Sequence, residues 1–138
     1  RPSSGSILLD GGQEAGGRTV APHNYQQYRN LYSIIFSDYH LFDQLYGLEF
    51  APDEETVNEL MQSMGLSAEK VHFQGGAFST TRLSSGQKKR LALVTSIVEN
   101  KSIYVYDEVA ADLDPEFRDE FYSTKEFVKR CCAILKKI

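Results

Sequence analysis

Between Leu83 and Glu108 the sequence commits to a helix followed by a strand, and that order constrains the fold more than any other stretch. Leu83-Ser84-Ser85-Gly86-Gln87 reads as a Gly-containing turn that feeds a helix, with Ser84 or Ser85 as its cap. Leu91, Val94 and Val98, with Leu93 and Ile97 beside them, give that helix a core-facing side, and Asn100-Lys101 closes it. Ile103-Tyr104-Val105-Tyr106 is then an apolar strand that stops at two adjacent carboxylates, Asp107 and Glu108, with Asp107 20 positions after Gln87. Such a crossover places helices on a mostly parallel sheet.

Both ends of this unit suit nucleotide chemistry. Backbone N–H groups at a helix start favour a phosphate, and a strand-end carboxylate suits a magnesium ion, which wants hard oxygens and keeps its waters. Asp107 would serve the ion's shell, and Glu108 would reach an attacking water. Each half also has a plain alternative. Ser is a good helix cap without any ligand, and an Asp-Glu pair is an ordinary solvated strand end. Lys88 and Lys89 run against the dipole preference at a helix start, a conflict tolerated on an exposed surface and favourable where an anion docks.

The remaining chain supports one α/β domain. Ser6–Asp10 reads as a short strand stopped by Gly11-Gly12, and Gln13–Pro22 as a loop. Asn24 starts a helix over Tyr25, Tyr28, Leu31 and Tyr32. Ser33–Phe36 is then a buried strand that ends in the polar pair Ser37-Asp38. Leu41–Phe50 carries apolar residues at helical spacing. Pro52-Asp53-Glu54-Glu55 opens the clearest helix, with Asp53 as cap, Val57, Leu60, Met61 and Met64 as its buried stripe, and Gly65 as its stop. His72 reads as a lone surface or strand histidine without a metal partner nearby. Asp114-Pro115-Glu116 begins a last helix, whose apolar face is Phe117, Phe121 and Tyr122.

At 138 residues, 41% hydrophobic and 25% charged, the composition is that of an ordinary soluble domain able to bury a core. A net charge of −4 gives no basic footprint, so nucleic acid is not an expected partner. No apolar run approaches the roughly 20 residues of a membrane span. The Arg1-Pro2-Ser3-Ser4-Gly5 start leads us to expect a chain that begins in mid-protein or after processing. Cys131 and Cys132 are adjacent, which fits two thiols in a reducing, cytosolic setting rather than a disulfide framework.

Taken in order, these segments resemble the ATP-binding domain of ABC transporters, over roughly residues 3 to 122. Leu83–Gln87 is similar to the LSGGQ signature with Ser85 in place of a Gly. Ile103–Glu108 is similar to the Walker B strand, and Ala111-Asp112-Leu113-Asp114 to the D-loop. Phe36–Phe42 resembles the Q-loop segment, and Ser4–Gly11 the strand and turn after the Walker A helix. Ile35–Asp43 and Asp107–Arg118 resemble most the bacterial exporters of cyclic peptides and peptide siderophores. The implied fold is a partial P-loop NTPase-like ABC ATPase domain, a mostly parallel sheet flanked by helices plus a small helical subdomain at about 43–82, with 123–138 a divergent tail.

The resemblance implies ATP and Mg2+ as cofactors. Ser84, Ser85, Gly86 and Gln87 would meet the γ-phosphate bound by a second ATPase domain in a dimer. Asp107 would hold magnesium through water, Glu108 would polarise the attacking water, and Asp114 would communicate across the dimer. Ser37 would occupy the Q-loop position. A membrane-spanning domain of the same transporter would be the other partner, at the cytoplasmic face of the bacterial inner membrane.

Three departures qualify the match. Ser37 replaces the expected Gln and has a shorter reach. No Gly-x-x-x-x-Gly-Lys-Ser/Thr run occurs in the 138 residues, so this chain by itself is expected not to bind ATP usefully. Lys136 and Lys137 stand near the place of the switch His, while His23, His40 and His72 all lie upstream. A degenerate copy acting only as an interaction module is the competing expectation. A DNA-repair or translation ATPase would need insertions for which Phe42–Leu83 leaves little room.

Overall fold

The computed structural model describes residues 4–9, 18–48, 51–109 and 113–122. Its elements are β1 (Leu8–Leu9), β2 (Arg18–Thr19), α1 (Tyr25–Arg29), β3 (Tyr32–Ile35), α2 (Glu54–Ser63), β4 (Phe73–Gln74), β5 (Ala77–Phe78), α3 (Ser85–Val98), β6 (Ile103–Tyr106) and α4 (Pro115–Tyr122). Among these residues the strands pair two by two. β1 with β2 and β4 with β5 are antiparallel, while β3 and β6 run parallel, Tyr32 opposite Ile103 and Ile35 opposite Tyr106.

Helix α3 organises the packing. Leu91, Ala92, Leu93, Val94, Ile97 and Val98 are all buried along its 14 residues, because α2 packs on it from one direction and β3 from another. On the sheet side, the buried Ser33 and Ser96 hydroxyls hydrogen-bond at 2.8 Å, and Ser96 meets the Tyr106 hydroxyl at 3.3 Å. Three elements are thereby tied by one small polar chain whose burial demands that it be satisfied.

Helix α2 forms as its sequence dictates. The Asp53 carboxylate accepts from the Thr56 N–H and hydroxyl, and Val57, Leu60, Met61 and Met64 are buried. The helix ends in a Schellman motif: Leu66 N–H donates to Met61 O, Gly65 N–H donates to Gln62 O, and Gly65 takes the required left-handed φ of 70°. Next comes a hairpin turned by Gly75-Gly76, both at positive φ as a two-residue turn of this twist needs. The Asn58 side chain fastens it to α2, donating to Phe73 O and accepting from Phe73 N–H.

Four expectations are corrected. Arg18-Thr19, within the expected loop, pairs with β1. The tyrosine helix stops at Arg29, and Tyr32 opens β3, its hydroxyl donating to that of Tyr28. β3 is not buried on both sides: Ser33 and Ile35 are covered, but Ile34 is 46% and the following Phe36 57% exposed. Residues 41–48 form no helix despite their spacing, since Asp43 O accepts from Phe78 N–H and Gln44 bridges Ala77. The end of that expected helix, Glu49 and Phe50, lies outside the described residues, as do Asp10–Gly17, Ala110–Asp112 and the tail 123–138 with both cysteines.

Candidate functional site

The parallel register of β3 and β6 brings their C-terminal ends to one edge. Asp107 N–H donates to Ile35 O at 2.9 Å, so Ser37-Asp38 and Asp107-Glu108 leave the sheet side by side. That edge is where open parallel sheets bind their ligands. Ser37, Asp38, Asp107 and Glu108 are all exposed, and Tyr39 N–H donates to Phe36 O to close the turn that carries Ser37.

The start of α3 borders the same edge. A cavity of about 410 Å³ is lined by Ser37, Tyr39, His40, Leu41, Thr81, Ser85, Lys88 and Lys89. Ser37 and Ser85, far apart in sequence, thus share one space. Ser84 is the N-cap of α3 in a full capping box: its hydroxyl accepts from Gln87 N–H, and the Gln87 side-chain oxygen accepts from Ser84 N–H. These bonds fix the turn, with Gly86 half-buried inside the first helical turn.

Asp114 stands on a different support. One carboxylate oxygen accepts from Phe117 N–H and caps α4, and the other pairs with the Arg90 guanidinium. Arg90 lies over the Phe117 ring, 4.7 Å from its centroid, and donates a long 3.4 Å bond to Met64 O. A Cβ at Gly65 would meet Arg90 Nη1 at 2.7 Å, so this glycine also makes room for the side chain. Arg90 therefore links the end of α2 and the start of α4 to α3.

The sequence alone does not single out Arg90, and it reads Lys89 as a cation on an exposed surface or beside a docked anion. Lys89 is only 4% exposed, and its ammonium donates to Glu108 O at 2.9 Å. The signal was its spacing: Lys89 lies four residues before Leu93 and eight before Ile97, on a buried stripe of α3. Glu108 itself sits at φ 51°, a left-handed conformation uncommon for a residue other than glycine.

The donors at this edge suit a magnesium ion in one particular way. Among the described residues no three His, Cys, Asp or Glu side chains converge as a metal cage. One exposed strand-end carboxylate fits an ion that keeps its waters and takes its remaining ligands from phosphate. Asp107 meets that description.

The ABC transporter family model matches residues 1–111. The chain belongs to the ABC transporter family. Among curated ABC proteins, the ATP-binding protein SyrD of Pseudomonas syringae pv. syringae is 41% identical over 124 residues, which is 88% of this chain and 21% of that protein. The methionine import ATP-binding protein MetN of Corynebacterium jeikeium is 33% identical over 130 residues, 83% of this chain and 32% of that one. MetN of Helicobacter pylori is 32% identical over 126 residues, 83% and 36% respectively. This ABC chain therefore spans between a fifth and about a third of the length of these relatives. No helix among its described residues is long and apolar enough to cross a membrane.

Proposed function

We propose that this chain supplies the signature helix, the Walker B carboxylates and the D-loop helix start of an ATP-hydrolysing motor in an ABC exporter. Its work would be export of a cyclic peptide or peptide siderophore from the cytoplasmic face of the bacterial inner membrane. The observation that carries the reading is the common edge of β3 and β6, where Ser37 and Asp107-Glu108 emerge beside the first turn of α3. The runs Ile35–Asp43 and Asp107–Arg118 favour the exporter branch. The MetN relatives are named for methionine import, so a transport assay that moved cargo inward would overturn the exporter reading.

In this reading each residue has a distinct task. Asp107 holds the water shell of Mg2+, whose charge offsets that of the phosphate oxygens when bound. Glu108 orients the attacking water and accepts its proton. The first turn of α3, with Ser84, Ser85, Gly86 and Gln87, directs helix-start N–H groups at the γ-phosphate held by a second ATPase domain. Asp114, held within this chain by Arg90 and the Phe117 N–H, communicates across the dimer from the start of α4. Ser37 lines the cavity between edge and helix and reaches less far than a Gln would. A membrane-spanning domain completes the transporter.

Glu108→Gln in the transporter that carries this chain tests the reading. ATP binding should persist while turnover falls about a hundredfold or more, measured as phosphate release. Undiminished turnover would remove Glu108 from the chemistry. The alternative, a module that only offers its signature face to a complete partner, is favoured if the wild-type assembly binds ATP but releases no phosphate beyond its partner's share.

A further inference from the structure

We infer that Lys89 is a positioning residue for Glu108, an inference that rests on the reading of Glu108 as the group that orients the attacking water. The sequence places a lysine in the second turn of α3, where helical spacing puts it on the stripe of Leu93 and Ile97 and not on the solvent side. Burying an ammonium is costly unless hydrogen bonds satisfy it. Donation from Nζ to the Glu108 backbone oxygen at 2.9 Å offsets part of that cost.

The acceptor is not an ordinary carbonyl. Glu108 is one of two non-glycine residues at positive φ among the described residues, the other being Asn100 just past the end of α3. Asn tolerates the left-handed region because its short polar side chain bonds locally, whereas Glu has no such advantage. A residue kept there needs outside support. On one side, Asp107 N–H is held by Ile35 O at 2.9 Å; on the other, Val109 is buried at 2% exposure. Lys89 grips the carbonyl between those anchors. Three constraints on consecutive residues fix the direction in which the Glu108 side chain leaves the backbone, and Glu108 stays exposed at the sheet edge.

The link also has a structural origin that suits a motor. Lys89 belongs to the helix whose first turn carries Ser85 and Gly86, so the backbone of Glu108 is braced against the signature helix itself. A shift of α3 relative to β6 would pull on the Glu108 peptide directly. Electrostatically, Lys89 near Glu108 and Lys88 on the cavity wall place positive charge close to the edge where an anionic phosphate is proposed to sit.

Two measurements on Lys89→Met, which keeps most of the stem and removes the donor, test this. In the 138-residue chain, the Glu108 Cα and Cβ chemical shifts should move from left-handed toward extended values. In the transporter, ATP affinity should stay within about twofold while kcat falls about tenfold or more, and Lys89→Arg, which can still donate, should recover part of the loss. Wild-type kcat in Lys89→Met, or an equal loss of affinity and kcat, would overturn the inference. If Lys89→Met does not fold, Lys89→Gln decides by the same split between affinity and kcat, because its amide ends short of the carbonyl. Glu108→Gln, run alongside, separates the two levels: full turnover there sinks the reading of Glu108, whereas its loss with unimpaired Lys89 variants sinks only the role of Lys89.

Discussion

The α2–hairpin–α3 region and the β3–β6 pair both carry strongly apolar sequence and treat it in opposite ways. Leu60, Met61, Leu66, Phe73, Leu91 and Leu93 are at most 2% exposed, whereas Ile34, Phe36, Ile103 and Val105 are between 39% and 57% exposed. In the first region two helices and a hairpin cover one another. In the second, α3 covers one face of the sheet through Ser33, Ile35 and Tyr106, and the opposite face is open among the described residues. The contrast separates what maintains the fold from what exposes the proposed site: the edge that carries Asp107 and Glu108 hangs on the less covered element, braced from α3 by Lys89 and the Ser33–Ser96–Tyr106 chain.

A pair of substitutions measures that contrast at its largest. Leu60→Ala should cost about 2–5 kcal/mol, the transfer loss plus the cavity left at a fully buried site. Ile34→Thr keeps a β-branched side chain on the open face and should stay within about 0.5 kcal/mol of wild type. Urea unfolding of the 138-residue chain reads both. Equal losses would mean that the open face is covered in solution and would break the comparison.

A smaller effect is expected at the seam between the regions. Ser96→Ala removes the partner of the buried Ser33 hydroxyl and a contact of Tyr106, at a cost of about 1–3 kcal/mol. The double variant Ser33→Ala, Ser96→Ala should lose less than the sum of the singles, since no serine hydroxyl is then stranded between α3 and β3. Strict additivity in the same unfolding assay would show that the two serines do not act as a pair.

How legible each region was follows from where its determinants lie. Asp53, the acids after it and Gly65 define α2 locally, and Ser84 with Gln87 does the same for the start of α3, so both could be read without neighbours. The crossover from α3 to β6 suggested a parallel sheet, and β3 supplies the parallel partner. Leu41, Leu45 and Leu48 mimic a helical face, yet their segment is held out of a helix by pairing with β5 and turns at Gly47, φ 70°. Those contacts join residues more than thirty positions apart, which periodicity does not register. The site divides in the same way. Motif order singled out Ser84, Asp107 and Glu108 as candidates, while at Lys89 a charge that suggests solvent outweighs the helical spacing that places it on the buried stripe of Leu93 and Ile97.

The smallest expected effect tests the self-contained character of α2 through pH. The Thr56 hydroxyl and, after it, the Thr56 N–H hydrogen-bond the Asp53 carboxylate and lower its pKa from 3.8. The folded value lies below the unfolded one, so the carboxylate's stabilisation is complete above about 3.8 and is lost as the pH falls through the lower folded value. Asp53→Asn keeps a cap acceptor that does not titrate. Wild type should therefore be slightly the more stable at neutral pH, with a difference that shrinks on acidification below 3.8, read as the gap between the two urea midpoints. A gap that stays constant from neutral pH to well below 3.8 would show that α2 takes its stability from the Leu60 face alone, and that its cap contributes geometry without charge.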